Sequence, residues 1–259
     1  MTSNFFFISS LLILFTANLT LGQTLPNVQK ESVWAPATIL IDGKASEWNN
    51  QYQAHNNATE IDYTICNDDK FLYLIVQATQ TDICEKVLRG GITFTITNSD
   101  NKKDTTRQVS VIYPIYHGPS QTGVPNMFSR VNIDKRESQK ADVVVDTLKM
   151  LNTMLDKETK LILIKGIQGL AGEEISIYNE LGIKAGGQFD TKLRYQYELA
   201  IPIKYLKLAN ASQEFSYNIR LNGAGENKGP NGTGRPSGPV LIKLFGPTDF
   251  WGKYVLANK

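Results

Sequence analysis

Residues 61–78 read IDYTICNDDKFLYLIVQA, in which two runs of β-branched and aromatic residues flank a short polar segment. Every second residue of the first run is apolar, which is the pattern of a strand with one buried face. Residues 67–70 form a compact polar turn, and Phe71–Ala78 is apolar on both faces, as is typical of a central strand covered on both sides. This stretch therefore predicts a β-hairpin.

Further runs with strand character follow along the chain, separated by Asn, Asp, Gly and Pro. Residues 91–97 and 107–116 predict a second hairpin around a charged turn at 98–104. Other predicted strands are the short runs at 38–41, 160–167, 174–178, 192–201, 214–221 and 240–245. So many short strands predict an all-β chain that folds as an antiparallel β-sandwich.

One segment departs from the strand pattern. Within residues 141–155, apolar side chains recur every three or four positions, at Val144, Leu148, Leu151 and Leu155. This spacing is the period of an amphipathic helix. We therefore expect a single inserted helix that lies on the sandwich.

Residues 1–22 have the character of a signal peptide. Their apolar run, from Phe5 to Phe15, is too short to span a bilayer, which takes about 20 residues. No later stretch reaches that length, so we expect residues 23–259 to form one secreted or periplasmic β-sandwich domain. Within it, residues 223–239 hold six glycines and three prolines, which predicts a flexible loop.

The formal charge limits the classes of partner that the chain is expected to bind. The formal net charge is +2, with both signs interspersed, which indicates neither nucleic acid nor an anionic membrane surface as a partner.

The two cysteines, Cys66 and Cys84, have two interpretations: they pair as a disulfide, or they are small buried apolar residues. The sequence leaves both open.

Four short motifs occur in an order that resembles a known family. They are IDGKASEW at 41–48, FLYL at 71–74, YELAIP at 197–202 and FWGKYVL at 250–256. In these motifs the chain resembles carbohydrate-binding module family 9 and the wider DOMON-like β-sandwiches. The resemblance implies a jelly-roll or DOMON-like sandwich with a carbohydrate ligand. Two motif residues also predict architecture: Trp48 as an apolar plug at the end of the core, and Pro202 as the end of a strand.

Sugar sites normally combine aromatic faces with a few polar groups that fix the hydroxyls. The resemblance implies a sugar held between two tryptophans, but the corresponding positions, 86–89 and 242–245, contain no tryptophan. The family's tryptophan pair is therefore missing. The candidate carbohydrate-binding residues in this chain are Trp251, Trp34 and Tyr116.

The sequence also allows two further hypotheses, a bound calcium ion and a bound haem. Carboxylates that supply the hard oxygens preferred by structural calcium occur at Asp68, Asp69 and Asp82, although paired carboxylates in a hairpin turn also occur as solvated turn formers. Some DOMON-like relatives hold haem through Met, His or Lys side chains. Conceivable axial ligands here are His117, Met127, Met150 and Met154.

The sequence contains none of the local motifs that mark nucleophile elbows, zinc proteases or phosphate-binding loops. It therefore favours a secreted, non-catalytic carbohydrate-binding module, acting alone or as an accessory to polysaccharide degradation. The alternatives are a structural or protein-interaction sandwich without a sugar site, and a haem-binding electron-transfer domain. A glycosidase is a further alternative, since its paired carboxylates are brought together only by the fold.

Overall fold

The structure is a computed structural model that describes residues 24–99, 101–102, 104–117, 120–137, 141–170, 174–224, 244 and 246–259. Its strands are β1 (Ala54–Asn56), β2 (Ile61–Asn67), β3 (Phe71–Ala78), β4 (Ile92–Thr97), β5 (Gln108–Tyr113), β6 (Leu161–Lys165), β7 (Glu174–Ser176), β8 (Lys184–Phe189), β9 (Tyr195–Pro202), β10 (Phe215–Leu221) and β11 (Thr248–Tyr254). The helices are α1 (Thr81–Gly90), α2 (Ser120–Glu137) and α3 (Ala141–Glu158), and short 3₁₀ turns occur at Thr105–Arg107 and Ile203–Tyr205.

The strands form two antiparallel sheets, one in the order β1-β2-β3-β9-β8 and the other in the order β11-β10-β4-β5-β6-β7. Their facing sides bury one continuous apolar core. Tyr63 of the first sheet and Tyr217 of the second place their hydroxyl oxygens 2.9 Å apart inside that core, and the Phe250 ring lies 5.1 Å from the Tyr63 ring. The predicted antiparallel β-sandwich is confirmed.

The hairpin of β2 and β3 holds the centre of the first sheet. Strand β3 has β2 on one side and β9 on the other, and nearly all of its residues are buried. One face of β3 contributes to the core between the sheets, while Tyr73 and Ile75 on the other face pack under a second cluster that includes Ala35 and Trp48. The doubly apolar pattern of β3 is therefore explained by the chain before β1, which covers the outer face of this sheet.

The expectation of a single helix is wrong, because the described residues contain three. Helix α3 covers the predicted segment. Helix α1 has only ten residues, and α2 contains Gly123 and Pro125, two residues that disfavour a helix interior. Tertiary packing outweighs that preference, since Val124, Phe128 and Val131 of α2 are buried, with the Phe128 ring stacked 4.6 Å from the ring of Phe189.

Other predictions were met only in part. Strands were expected over much of β5–β7, β9 and β10, and they are present, with Pro202 at the end of β9 as predicted. Residues 38–41 are not a strand, and β1 and β8 were not predicted. Cys66 and Cys84 are both buried and unpaired. The predicted signal peptide, nearly all of the predicted loop at 223–239 and most of 240–245 lie outside the described residues.

Candidate binding pocket

A pocket of about 360 Å³ opens at one end of the sandwich. It lies between the turn that joins β2 to β3, the segment after β9 and the segment after β11. Its side chains combine one aromatic ring with charged and amide groups. We name it the Trp34 pocket, and the lining residues used below are Trp34, Asp69, Lys204, Lys207, Asn210 and Asn258.

Trp34 is half-buried and is held by the end of β2. It forms a parallel bridge with Asn67, and the flanking backbone is fixed by the Ala35 N–H, which donates to the Asn67 carbonyl at 2.8 Å. The Asn67 side chain also holds the opposite wall. Its Oδ1 accepts from the Ala257 N–H at 2.7 Å, and its Nδ2 donates to the Ala257 carbonyl at 3.1 Å. One buried asparagine therefore sets the spacing of two walls of the pocket.

The two aspartates of the β2–β3 turn have different surroundings. Both oxygens of Asp68 are occupied: Oδ1 accepts from the backbone N–H groups of Lys70 and Phe71 at 2.7 Å, and Oδ2 accepts from the Tyr73 hydroxyl at 2.8 Å. Asp69 is exposed, and no hydrogen bond to its side chain occurs within the described chain. Asp68 therefore stabilises the turn, while Asp69 presents its carboxylate to the pocket.

The structure does not bring the three predicted calcium ligands together. Asp82 lies in the first turn of α1, beyond the far end of β3. The eight residues of β3, at about 3.3 Å each, separate it from Asp68 and Asp69. Within the described ranges, no group of three or more His, Cys, Asp or Glu side chains is placed to hold a metal ion.

The other two predicted carbohydrate contacts lie outside the pocket. Trp251 is half-buried on the outer face of β11, where it pairs in register with Asn218 of β10, and the Lys102 ammonium lies 4.8 Å from the centre of its ring. Tyr116 is only 8% exposed and belongs to the core between the sheets. Its ring is therefore closed to a surface ligand, whereas Trp251 remains accessible.

The four conceivable haem ligands differ in their surroundings. His117 is exposed, and its Nε2 lies 2.9 Å from a carboxylate oxygen of Glu174. Met127 and Met154 pack against the core, while Met150 is 59% exposed. Met154 and Met127 therefore serve packing, which is a common use of methionine.

A buried carboxylate that the sequence did not identify explains two of the motifs. Glu198, within YELAIP, is fully buried on β9. Its Oε1 accepts from the Trp48 indole N–H at 2.9 Å, and its Oε2 accepts from the backbone N–H groups of Asp42 and Gly43 at 3.0 and 2.9 Å. Burial raises the pKa of Glu198 to about 7, in opposition to those three donors. Trp48 is therefore structural, but it covers the outer face of a sheet and does not plug the end of the core.

The contact between Glu198 and the segment at 41–48 is possible because two backbone segments approach each other closely. Gly43, with a φ of 81°, lies against Gly187 of β8, where an added Cβ would come within 2.8 Å of that backbone. The two motifs at 41–48 and 197–202 are thus one contact in space. A sequence signal existed, since Gly186 and Gly187 interrupt an otherwise ordinary strand, and glycine in a strand often marks a close backbone approach.

No family model matches the sequence, and no curated protein matches it. Among solved structures, a carbohydrate binding module of family 9 from Caldicellulosiruptor kristjanssonii, in complex with glucose, is similar to this chain with a TM-score of 0.39. The two share 8% identity, and the alignment covers 88% of this chain and 96% of that chain. Within the described residues, no helix combines the length and the apolar composition needed to cross a membrane. The structural similarity is distant and concerns the β-sandwich fold alone.

Proposed function

We propose that this chain is a secreted, non-catalytic carbohydrate-binding module whose site is the Trp34 pocket. The observation that carries the proposal is the combination of a half-buried indole with hydrogen-bonding groups in one concavity. Export rests on the apolar run between Phe5 and Phe15.

The size and chemistry of the pocket suit a small part of a glycan. Its volume of about 360 Å³ lies at the lower end of the range for ligand pockets, about 300–1,000 Å³. An indole offers a flat apolar face for the C–H side of a pyranose ring. The Asp69 carboxylate accepts hydrogen bonds from sugar hydroxyls, and the amides of Asn210 and Asn258 both donate and accept. We therefore propose one terminal sugar unit as the occupant.

The test is a glycan-array screen and an insoluble-polysaccharide pull-down with the purified protein. Trp34→Ala is expected to weaken binding at least ten-fold, because the stacking face is lost. Asp69→Ala removes an exposed carboxylate that has no hydrogen bond within the described residues, so it is expected to weaken the binding of a neutral glycan, whose hydroxyls lose an acceptor, while leaving the unfolding midpoint unchanged. This second variant keeps the test valid if Trp34→Ala does not fold.

Trp251→Ala is the matched control, since it removes the other accessible tryptophan outside the pocket. It is expected to bind as the unmodified protein does. Loss of binding in Trp251→Ala alone would move the site to the outer face of β11 and contradict the proposal. If the folded protein binds no glycan, the proposal is wrong, and a structural or protein-interaction role becomes the better hypothesis.

A further inference from the structure

We infer that the sugar bound in the Trp34 pocket carries a negative charge, as a carboxylate or a sulfate ester. This inference rests on the proposed function and narrows it to a class of ligand. Its basis is a pair of lysines, Lys204 and Lys207, that follow β9 and line the same pocket as Trp34.

The two lysines are exposed, and their charges are not held in ion pairs within the part of the chain that the structure describes. The Lys204 ammonium lies 5.0 Å from the centre of the Tyr205 ring, and the Lys207 ammonium donates to the Thr106 carbonyl at 3.2 Å. Each therefore retains donor capacity, since an ammonium group has three N–H donors.

The pocket contains fewer acidic than basic side chains. Asp68 already accepts three hydrogen bonds from its own turn. Those donors are neutral, so Asp68 keeps its negative charge and contributes it to the pocket together with Asp69, while Lys259 adds a third positive charge. The three lysines that line the pocket outnumber its two aspartates, so its charge is net positive and favours an anionic ligand over a neutral one.

The backbone at Lys207 supplies a second observation. Its φ is 56°, in the left-handed region that is uncommon for residues other than glycine, and lysine is not among the side chains enriched there. The conformation is held by the Asn98 side chain, which donates to the Lys207 carbonyl at 2.5 Å. A left-handed residue commonly ends a helical turn, and Lys207 ends the 3₁₀ turn at Ile203–Tyr205 in this way. Here the turn directs the chain so that two lysines, three positions apart, line one cavity.

The experiment compares matched ligands that differ only in charge. Oligogalacturonate is compared with its fully methyl-esterified form, and a sulfated galactan with its desulfated form, by isothermal titration calorimetry at 50 mM and 500 mM NaCl. The acidic member of at least one pair is expected to bind roughly ten-fold more tightly at low salt, at about three-fold for each exposed lysine. The preference is expected to shrink at high salt, where charges are screened. The pair that shows it distinguishes a carboxylate from a sulfate.

Two variants and a control locate the effect. Lys204→Gln and Lys207→Asn remove one charge each, and Asn tolerates the left-handed conformation at 207. Each variant is expected to lose about three-fold in affinity for the acidic ligand and to lose less for the neutral form, since only the acidic ligand loses a charge interaction. Lys165→Gln removes an exposed charge on the outer face of β6 and is expected to change neither.

The outcomes separate the two proposals. If neutral and acidic forms bind equally at Trp34, the carbohydrate site stands and the charge inference is overturned. If no carbohydrate of either kind binds to the folded protein, the proposed function fails first. If Lys165→Gln loses as much affinity as the pocket variants, the attraction is a general property of the surface, which also overturns the inference.

Discussion

The buried carboxyl of Glu198 predicts that this protein loses stability as the pH rises from 5 to 8. The perturbation is a change in pH alone. The carboxyl is fully buried between β9 and the segment that carries Trp48, and burial raises its pKa from 4.5 to about 7. The negative charge of Asp42, which is paired with Lys44 at 2.8 Å, also raises the pKa of Glu198.

The direction in which stability changes with pH follows from the state that binds the Glu198 proton more tightly. Because the pKa of Glu198 is higher in the folded chain, the folded state holds this proton more tightly than the unfolded state does. The resulting stabilisation is fully present below about pH 4.5 and disappears as the pH rises through about 7. A difference of about 2.5 pH units, at about 1.4 kcal/mol per unit, corresponds to about 3 kcal/mol in all. Between pH 5 and pH 8, we expect a loss of about 2–3 kcal/mol.

The assay is urea unfolding followed by tryptophan fluorescence, at several pH values from 5 to 8. Glu198→Gln is the control, because a glutamine side chain has the same shape and does not titrate. The variant is expected to lack this part of the pH dependence, so the difference in unfolding free energy between the two proteins should change by about 2–3 kcal/mol. Parallel pH curves for both proteins would refute the assignment of the raised pKa to Glu198.

Three further predictions test other parts of the fold. Gly187→Ala places a Cβ 2.1 Å from the Tyr195 hydroxyl oxygen and is expected to cost about 1–3 kcal/mol of unfolding free energy, measured by urea denaturation; an unchanged midpoint would contradict the close contact. Tyr63→Phe leaves the buried backbone N–H of Gln29 without its acceptor and should cost about 1–3 kcal/mol in the same assay; an unchanged midpoint would show that this hydrogen bond does not stabilise the fold. Cys66 and Cys84 are buried, and burial raises the pKa of the Cys84 thiol to about 12, so both thiols should react with Ellman's reagent only after unfolding.

The resemblance to family 9 modules anticipated the sandwich, and the outcome shows what its motifs do. The motif at 41–48 and the motif at 197–202 meet through Glu198, whose carboxylate joins Trp48 to the backbone of Asp42 and Gly43. These residues build the outer layer of one sheet. None of these residues lines the Trp34 pocket, so these two motifs specify architecture, whereas Leu256, the last residue of the motif at 250–256, lines the pocket.

The sequence by itself determined the elements whose pattern is local. Strands β2 to β7, β9 and β10 and helix α3 were predictable because neighbouring residues show a hydrophobic period of two or near 3.6. Helices α1 and α2 and strands β1 and β8 were missed because they lack such a local pattern. A ten-residue helix, a helix with internal Gly and Pro, and a strand with two glycines have weak local patterns, and contacts distant in sequence hold them.

Only the tertiary structure decided the site. Trp34 and Asp69 were identified separately, one for sugar stacking and the other for calcium, and nothing in the sequence placed them in one pocket with Lys204 and Lys207. The same fold buried Tyr116 and carried Asp82 to the opposite end of β3. Side-chain periodicity reports which face of an element is apolar, whereas a binding pocket depends on which loop ends meet. That meeting is set by sheet order and strand pairing over more than a hundred residues, which no local pattern encodes.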